Sequence, residues 1–121
     1  MAIYTSYFAF AQWVPSKHLI SIAGRAPDGF SGTSYKKLAP KYTWWKKWKE
    51  ENLSEEFYKQ NYNESVLGAL DPAQVLSEIG DDKILLCWEK PDKFCHRHLV
   101  AAWLGAGVKE LDEHTRAAFL R

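Results

Sequence analysis

Two cysteines, a carboxylate, an imidazole and a guanidinium occur within one short segment near the end of this chain. Cys87 closes an apolar run, Glu89 follows it, and Cys95, His96 and Arg97 stand together after a Pro-Asp break. Thiolates are nucleophiles, carboxylates and imidazoles transfer protons, and guanidinium groups bind phosphate and carboxylate. The segment therefore predicts a reactive or ligand-binding site, although these residue types do not specify one reaction.

The position of the segment in the fold strengthens this interpretation. Residues 83–88 are apolar apart from Lys83, which is typical of a buried strand, and residues 95–104 have the composition of a helix. In open α/β sheets, ligands bind at the edge where parallel strands end and helices begin. We therefore expect the site at the carboxyl ends of the strands.

Two arginines are candidates for binding an anion. Arg97 lies in the first turn of the predicted helix, where free N–H groups and the helix dipole favour negative charge. Arg25 follows a second predicted strand, so both guanidiniums could converge on one anion, with Cys87 beside them. We expect a small anionic ligand, either a nucleotide or a phosphorylated metabolite. The alternative is that each arginine forms an ion pair with Glu89, Asp28 or Asp92.

Chemistry on such a ligand would come from Cys95, His96 and Glu89. A thiol at a helix N-terminus, next to histidine and arginine, ionises readily and can act as a nucleophile with His96 as its partner. Consecutive helical residues point about 100° apart, so adjacency alone does not bring Cys95 and His96 into contact. Glu89 is either a general base or hydroxyl acceptor, or the partner of an arginine in a structural ion pair.

The two cysteines also have simpler interpretations. Cys87 ends a buried strand, and free cysteine often behaves there as a small apolar residue. Zinc sites generally use two closely spaced ligand pairs, and the Cys87–His96 spacing lacks that pattern, so we predict no metal and no cofactor. A disulfide between Cys87 and Cys95 is disfavoured in a reducing compartment, and the cluster could also simply lock strand to helix.

The composition places the chain in a broad class. Its 121 residues, 46% of them hydrophobic, suit one domain with one core, and its net charge of +1 argues neither for nor against nucleic acid. We see no signal peptide and no apolar run as long as the ~18 residues of a membrane helix. We therefore expect a cytoplasmic protein with reduced thiols and no membrane partner, and make no prediction of its oligomeric state.

The order of elements predicts an α/β fold with a small, largely parallel sheet flanked by helices, in a Rossmann-like three-layer arrangement over residues 1–121. Ser54, Asp71 and Asp112 are predicted helix caps, and residues 25–40 are predicted to form an irregular loop. The predicted strands cover residues 2–10, 18–24, 83–88 and 108–111, and the predicted helices cover residues 41–52, 54–69, 72–79, 95–104 and 112–120.

The first predicted helix suggests a second functional class. It combines Trp44, Trp45 and Trp48 with several lysines, and rings and ammonium groups together bind single-stranded nucleic acid. The chain would then be a non-catalytic nucleic-acid-binding or interaction module. An amphipathic helix with buried tryptophans and solvated lysines explains the same pattern, because the three tryptophans share one face. The acidic residues Glu50 and Glu51 directly after it also favour the amphipathic helix.

The chain resembles the family catalogued as domain of unknown function 488, over about residues 2–111. The family pattern is an apolar strand ending Leu-Leu-Cys-x-Glu, a short stretch with proline, and Cys-His-Arg at the start of a helix. An arginine followed closely by proline after the second strand belongs to it as well. Where many members carry Asp-Val-Arg, this chain has Ala23-Gly24-Arg25. The resemblance implies a fold and a site rather than an activity. The matching residues are Leu85, Leu86, Cys87, Glu89, Pro91, Cys95, His96 and Arg97, with Arg25-Ala26-Pro27, Leu38-Ala39-Pro40 and Gly105-Ala106-Gly107-Val108.

Overall fold

The centre of the fold is a parallel five-stranded sheet in the order β3-β2-β4-β1-β5. It is seen in a computed structural model that describes residues 2–90, 94–105 and 107–121. Pro91, Asp92 and Ala106, named above, lie outside the described residues. All strand pairs are parallel, so their carboxyl ends lie along one edge. The strands are β1 (Ile3–Tyr7), β2 (Leu19–Ser21), β3 (Thr33–Ser34), β4 (Lys83–Cys87) and β5 (Lys109–Glu110).

Five α-helices in the described part of the chain surround this sheet. The predicted cap at Ser54 is confirmed, because its Oγ accepts a hydrogen bond from the N–H of Phe57 at 3.2 Å. Asp112 caps the last helix in the same way, through the N–H of Thr115 at 2.7 Å. Asp71 occupies the predicted N-cap position before Pro72, but its side chain makes no capping hydrogen bond to the described helix. The helices are α1 (Tyr42–Glu50), α2 (Glu55–Ser65), α3 (Pro72–Ile79), α4 (His96–Leu104) and α5 (Glu113–Phe119).

The inner strands β2 and β4 are buried on both faces, and a hydrophobic cluster lies on each side of the sheet. Successive side chains of a strand point to opposite faces, and in β4 Leu85 joins one cluster while Ile84 and Leu86 join the other. Helices α1 to α4 contribute to the Leu85 cluster, and Phe119 of α5 packs against the opposite one. The predicted three-layer α/β fold is therefore confirmed. No helix among the described residues has both the length and the apolar character needed to cross a membrane.

One region differs from the prediction. Residues 25–40 were expected to form an irregular loop, yet they contain the edge strand β3 and the 3-10 turn Lys36–Leu38. The two residues of β3 are both exposed and too few to show an alternating pattern. Their strand pairing with β2 comes from the tertiary fold and has no local sequence signal.

Candidate functional site

The reactive residues lie at the carboxyl edge of the sheet, at the junction of β4 and α4. Cys87 is the last residue of β4, and Cys95 is the residue directly before α4. Cys87, Cys95 and His96 are 1%, 6% and 5% exposed, so the cluster is almost entirely buried. The structure thus brings together three side chains that the sequence analysis nominated.

A disulfide joins Cys87 to Cys95 across Cα atoms 7.3 Å apart. The sequence predicts against this bond, because a cytoplasmic protein is expected to keep its thiols reduced. The structure differs from that expectation because α4 packs against β4, which places the residue before the helix beside the end of the strand. After reduction, the same geometry leaves two neighbouring thiols.

His96 is held in one tautomer by its backbone partner. Its Nε2 lies 2.7 Å from the carbonyl oxygen of Ile22, and a carbonyl can only accept, so Nε2 carries the hydrogen. Burial lowers the pKa of His96 from 6.5 to about 4, opposed by the bond to Ile22 and helped by the charge of Arg97. The ring is therefore neutral at pH 7. Its Nδ1, which keeps a lone pair, faces the Sγ of Cys95 at 3.7 Å.

Arg97 is fully buried and connects three parts of the site. Its Nε and one terminal nitrogen donate to the two carboxylate oxygens of Glu110, at 3.1 and 2.9 Å. Its other terminal nitrogen donates to the backbone oxygen of Glu89 at 2.5 Å and to the Sγ of Cys87 at 2.9 Å. The guanidinium carbon lies 5.8 Å from the ring centre of Tyr7. Arg97 therefore presents a fixed positive charge to the sulfur of Cys87.

Arg25 has a different environment. Its side chain is 86% exposed and approaches Asp28 at 3.7 Å, whereas the side chain of Arg97 is 0% exposed. The expected convergence of the two guanidiniums on one anion is therefore not formed, because the carboxylate of Glu110 occupies the fork of Arg97. Ligand binding by Arg25 and Arg97 stays a prediction; in the structure Arg97 contacts Glu110, the backbone oxygen of Glu89 and the sulfur of Cys87.

A cleft of about 690 Å³ opens over the cysteine cluster. This volume lies within the range of roughly 300–1,000 Å³ that is usual for small-molecule sites. Cys87, Cys95 and His96 line it, and so do Ala23 and Gly24 from the segment after β2. Most of the remaining wall is aromatic and consists of Tyr42, Trp45, Trp48, Tyr58, Trp88 and Phe94.

Hydrogen bonds and ring contacts hold the aromatic wall in place. The indole N–H of Trp48 donates to the backbone oxygen of Ser54 at 3.1 Å, and its ring meets Tyr58 edge-on at 4.9 Å between centroids. The indole N–H of Trp88 donates to the backbone oxygen of Arg25 at 2.9 Å. Both tryptophans are thus fixed by the protein while part of each ring remains accessible.

Within the described part of the chain, three charged side chains lie at the cleft. Arg25, Lys49 and Glu89 all line it, and all three are exposed residues. The Nζ of Lys49 lies 5.2 Å from the ring centre of Trp45, which places a cation directly beside an aromatic surface. The cleft therefore offers both a flat apolar wall and positive charge, together with one carboxylate.

The cysteine cluster also has the composition of a metal-ligand set. The three potential ligand atoms, one from each of Cys87, Cys95 and His96, lie within 4.8 Å of one another. Thiolate and imidazole suit zinc, but thiolates bind metal only when reduced, and here both sulfurs share the disulfide. The absence of a metal or other cofactor stays a prediction.

Two contributors to the site were not found in the sequence. Glu110, the partner of Arg97, lies on β5, and its position at the end of a predicted parallel strand was the available signal. The Trp/Lys helix was interpreted separately as a nucleic-acid surface or a core helix. In the structure Trp44 is buried in the core, whereas Trp45, Trp48 and Lys49 line the cleft.

The fold and the site define a class: a parallel α/β protein with a Cys, His and Arg cluster at the end of its central strand. The chain belongs to the DUF488 family, since the model described as "Active DUF488-N3 subclade" matches residues 16–107. The match includes Arg25 and the whole Cys87–Arg97 segment, which confirms the resemblance seen in the sequence. No curated protein and no solved structure matches the chain.

Proposed function

We propose that this protein binds a nucleotide, or a related phosphorylated ring compound, in the aromatic cleft and acts on it or senses it through the cysteine cluster. One observation carries the proposal: a single cleft combines partly exposed aromatic rings, cationic side chains and a buried Cys/His cluster. Each of these three parts matches one part of such a ligand or its chemistry.

The aromatic wall suits the base of a nucleotide. Trp45, Trp48 and Trp88 contribute partly or largely exposed rings to the same cleft. Stacking of a base on an aromatic side chain contributes about 1–3 kcal/mol and tolerates every base, because all bases are flat. The indole hydrogen bonds of Trp48 and Trp88 keep their rings in position before a ligand arrives, which reduces the entropic cost of binding.

The cations suit the phosphate. Arg25 and Lys49 line the cleft, and a guanidinium offers a planar pair of donors to phosphate oxygens. The ion pair of Arg25 with Asp28 is almost fully exposed, and such pairs contribute at most about 1 kcal/mol. A ligand phosphate can therefore replace the carboxylate at Arg25. Glu89 supplies an acceptor for a ligand hydroxyl or a proton-transfer group.

The cysteine cluster suits nucleophilic chemistry on the bound ligand. With the disulfide reduced, the thiol of Cys95 faces the lone pair of His96 Nδ1 across 3.7 Å. Because burial holds the pKa of His96 at about 4, the neutral imidazole would take the thiol proton only as the sulfur attacks. Cys95 would be the nucleophile, His96 its base and Glu89 a second proton-transfer group nearer the solvent.

The size of the cleft favours a single small molecule over a nucleic-acid strand. Its volume suits a mononucleotide, and the rings that face it come from the same helix that suggested nucleic-acid binding. Binding of an oligonucleotide on exposed lysines such as Lys46 and Lys47, outside the cleft, is the alternative. The experiment below separates the two functions.

Tryptophan fluorescence titration of the full chain provides the test. AMP and ADP should quench the fluorescence to saturation, inorganic phosphate should compete, and Lys49→Ala should weaken binding about tenfold, equivalent to about 1.4 kcal/mol. Lys47→Ala, an exposed lysine on the same helix, and Trp13→Leu, an exposed tryptophan away from the cleft, should leave binding unchanged. Absence of saturable nucleotide binding would refute the proposal. Oligonucleotide binding lost in Lys47→Ala but kept in Lys49→Ala would instead support the nucleic-acid module.

A further inference from the structure

We propose that Cys87 and Cys95 form a reversible dithiol–disulfide pair, in which Cys87 is the attacking thiolate and Cys95 the resolving thiol. The inference deepens the proposed function, on which it rests only for the ligand: Cys95 stays the nucleophile toward the bound ligand, whereas Cys87 attacks a small disulfide. Two observations carry it: the two sulfurs meet at the cleft, and their neighbours differ in charge.

The meeting of the sulfurs follows from the fold. Cys87 ends the central strand β4, and Cys95 precedes α4, which packs against that strand. The disulfide between them lies at the wall of the cleft, and both residues line it. A small reagent in the cleft would meet the two sulfurs at its wall, where Cys87 is 1% and Cys95 6% exposed.

The charge environment distinguishes the two sulfurs. A nitrogen of the Arg97 guanidinium lies 2.9 Å from the Sγ of Cys87, and the two bonds from Arg97 to Glu110 prevent the guanidinium from turning away. A fixed cation at hydrogen-bond distance favours a thiolate. Among the described residues, the polar side chain that contacts Cys95 is the neutral ring of His96, which leaves its thiol protonated until the sulfur attacks.

The surrounding ionisable groups are compatible with this assignment. Glu110 from β5 pairs with Arg97 on the side away from Cys87, and Tyr7 from β1 faces the guanidinium with its ring. Glu89, directly after β4, offers its backbone oxygen to Arg97. Within α4, Arg97 and His98 both act against protonation of His96, so the histidine adds no positive charge beside Cys95 at pH 7.

The proposed step uses a small organic disulfide as the oxidant. The Cys87 thiolate attacks one of its sulfurs, its S–S bond breaks, and the first thiolate leaves, so that a mixed disulfide forms on Cys87. His96 Nδ1 takes the proton of Cys95, whose sulfur attacks Cys87 and expels the second thiolate, which receives the proton from His96. Two protein thiols are oxidised to a disulfide, and the oxidant is reduced to two small molecules, one a thiol and one a thiolate.

The first test measures redox state in the full chain without nucleotide. The protein is equilibrated with mixtures of reduced and oxidised glutathione, quenched in acid, alkylated in denaturant and weighed as an intact chain. We expect one reversible transition, from a reduced chain with two free thiols to an oxidised chain with none. Two free thiols in every mixture would overturn the pair, as would capture of zinc by the reduced protein with protection of both thiols.

The second test assigns the roles of the two cysteines. Iodoacetamide alkylation is followed against pH in Cys95→Ser, which leaves Cys87, and in Cys87→Ser, which leaves Cys95. We expect Cys87 to react about tenfold faster than Cys95 at pH 6. Arg97→Lys in the Cys95→Ser background should reduce that advantage, because it removes the fixed guanidinium beside the sulfur. Equal profiles, or faster reaction of Cys95, would overturn the assignment. Loss of nucleotide binding with intact redox behaviour would refute only the proposed function.

Discussion

Arg97 and Glu110 form a two-point ion pair in which two guanidinium nitrogens reach both carboxylate oxygens, at 3.1 and 2.9 Å. The pair links α4 to β5, and Thr5 of β1 adds a third bond by donating its hydroxyl to Glu110 at 2.7 Å. The charge that faces Cys87 is thus positioned by residues far from it in sequence. The stability of the fold and the position of the reactive cluster depend on the same contact.

Removal of this carboxylate should destabilise the protein strongly. Glu110→Ala leaves the fully buried Arg97 without its counter-charge, and we expect the free energy of unfolding to fall by about 3 kcal/mol. Glu113→Ala breaks a more exposed pair with Arg116 and should cost less than about 1 kcal/mol. Urea denaturation of both variants checks this. Equal losses would mean that the Glu110 pair contributes no more than a surface contact.

The stability of the protein should fall in acid because of His96. Its pKa is about 4 in the folded chain and 6.5 without burial, so between these values the unfolded state binds a proton that the folded state does not. Stability from this group is complete above pH 6.5 and falls by about 3 kcal/mol as the pH is lowered to 4, at about 1.4 kcal/mol per pH unit.

Chemical denaturation between pH 7 and pH 4 measures this dependence. His96→Gln should lose the part of the slope that belongs to the histidine, whereas His114→Gln, a change at an exposed site on α5, should keep it. An unchanged slope in His96→Gln would show that other groups cause the loss of stability in acid.

Two glycines should respond differently to the same substitution. A Cβ on Gly32 would lie 2.5 Å from the backbone oxygen of Leu19, so Gly32→Ala should cost about 1–3 kcal/mol. A Cβ on Gly24 meets nothing within 4 Å, so Gly24→Ala should change stability by less than about 0.5 kcal/mol. Because Gly24 lines the cleft, its variant should still weaken ligand binding. Thermal melts of both variants measure the difference in stability. Equal melting midpoints would contradict the prediction.

The buried hydroxyl of Tyr62 should contribute measurably to stability. It donates to the backbone oxygen of Leu38 at 2.5 Å and thereby ties α2 to the segment before α1. Tyr62→Phe leaves that carbonyl unpaired, and we expect a loss of about 2 kcal/mol in urea denaturation. Tyr42→Phe changes a hydroxyl on an exposed residue and is the matched control, expected to have almost no effect.

Most of the fold was predictable because local signals agreed with the tertiary structure. The apolar run that became β4 and the caps at Ser54 and Asp112 mark elements through physics that acts within a few residues. The edge strand β3 was missed because its two residues are exposed and pair only through the fold. Asp71, at the N-cap position without a capping hydrogen bond, shows that a suitable residue at a helix start does not guarantee the bond.

The site was predictable in its composition but not in its pairings. The cluster of Cys87, Cys95 and His96 follows from the order of strand and helix at the carboxyl edge. The partner of Arg97 was not predictable, because several carboxylates were candidates and only the sheet order brings Glu110 beside it. The aromatic wall could not be predicted, because it depends on where α1 packs in the fold, and no local sequence pattern encodes that position.

The strand order also affects how the chain folds while it is being translated. Strands β1 and β2 are made early, yet neither pairs with the other, because β4 lies between them and contacts both. During synthesis from the N-terminus, their backbone edges emerge tens of residues before the strand that unites them. Nascent intermediates of this kind are prone to aggregate. Ribosome-bound chains that stop short of residue 83 should therefore lack the native sheet and depend on chaperones.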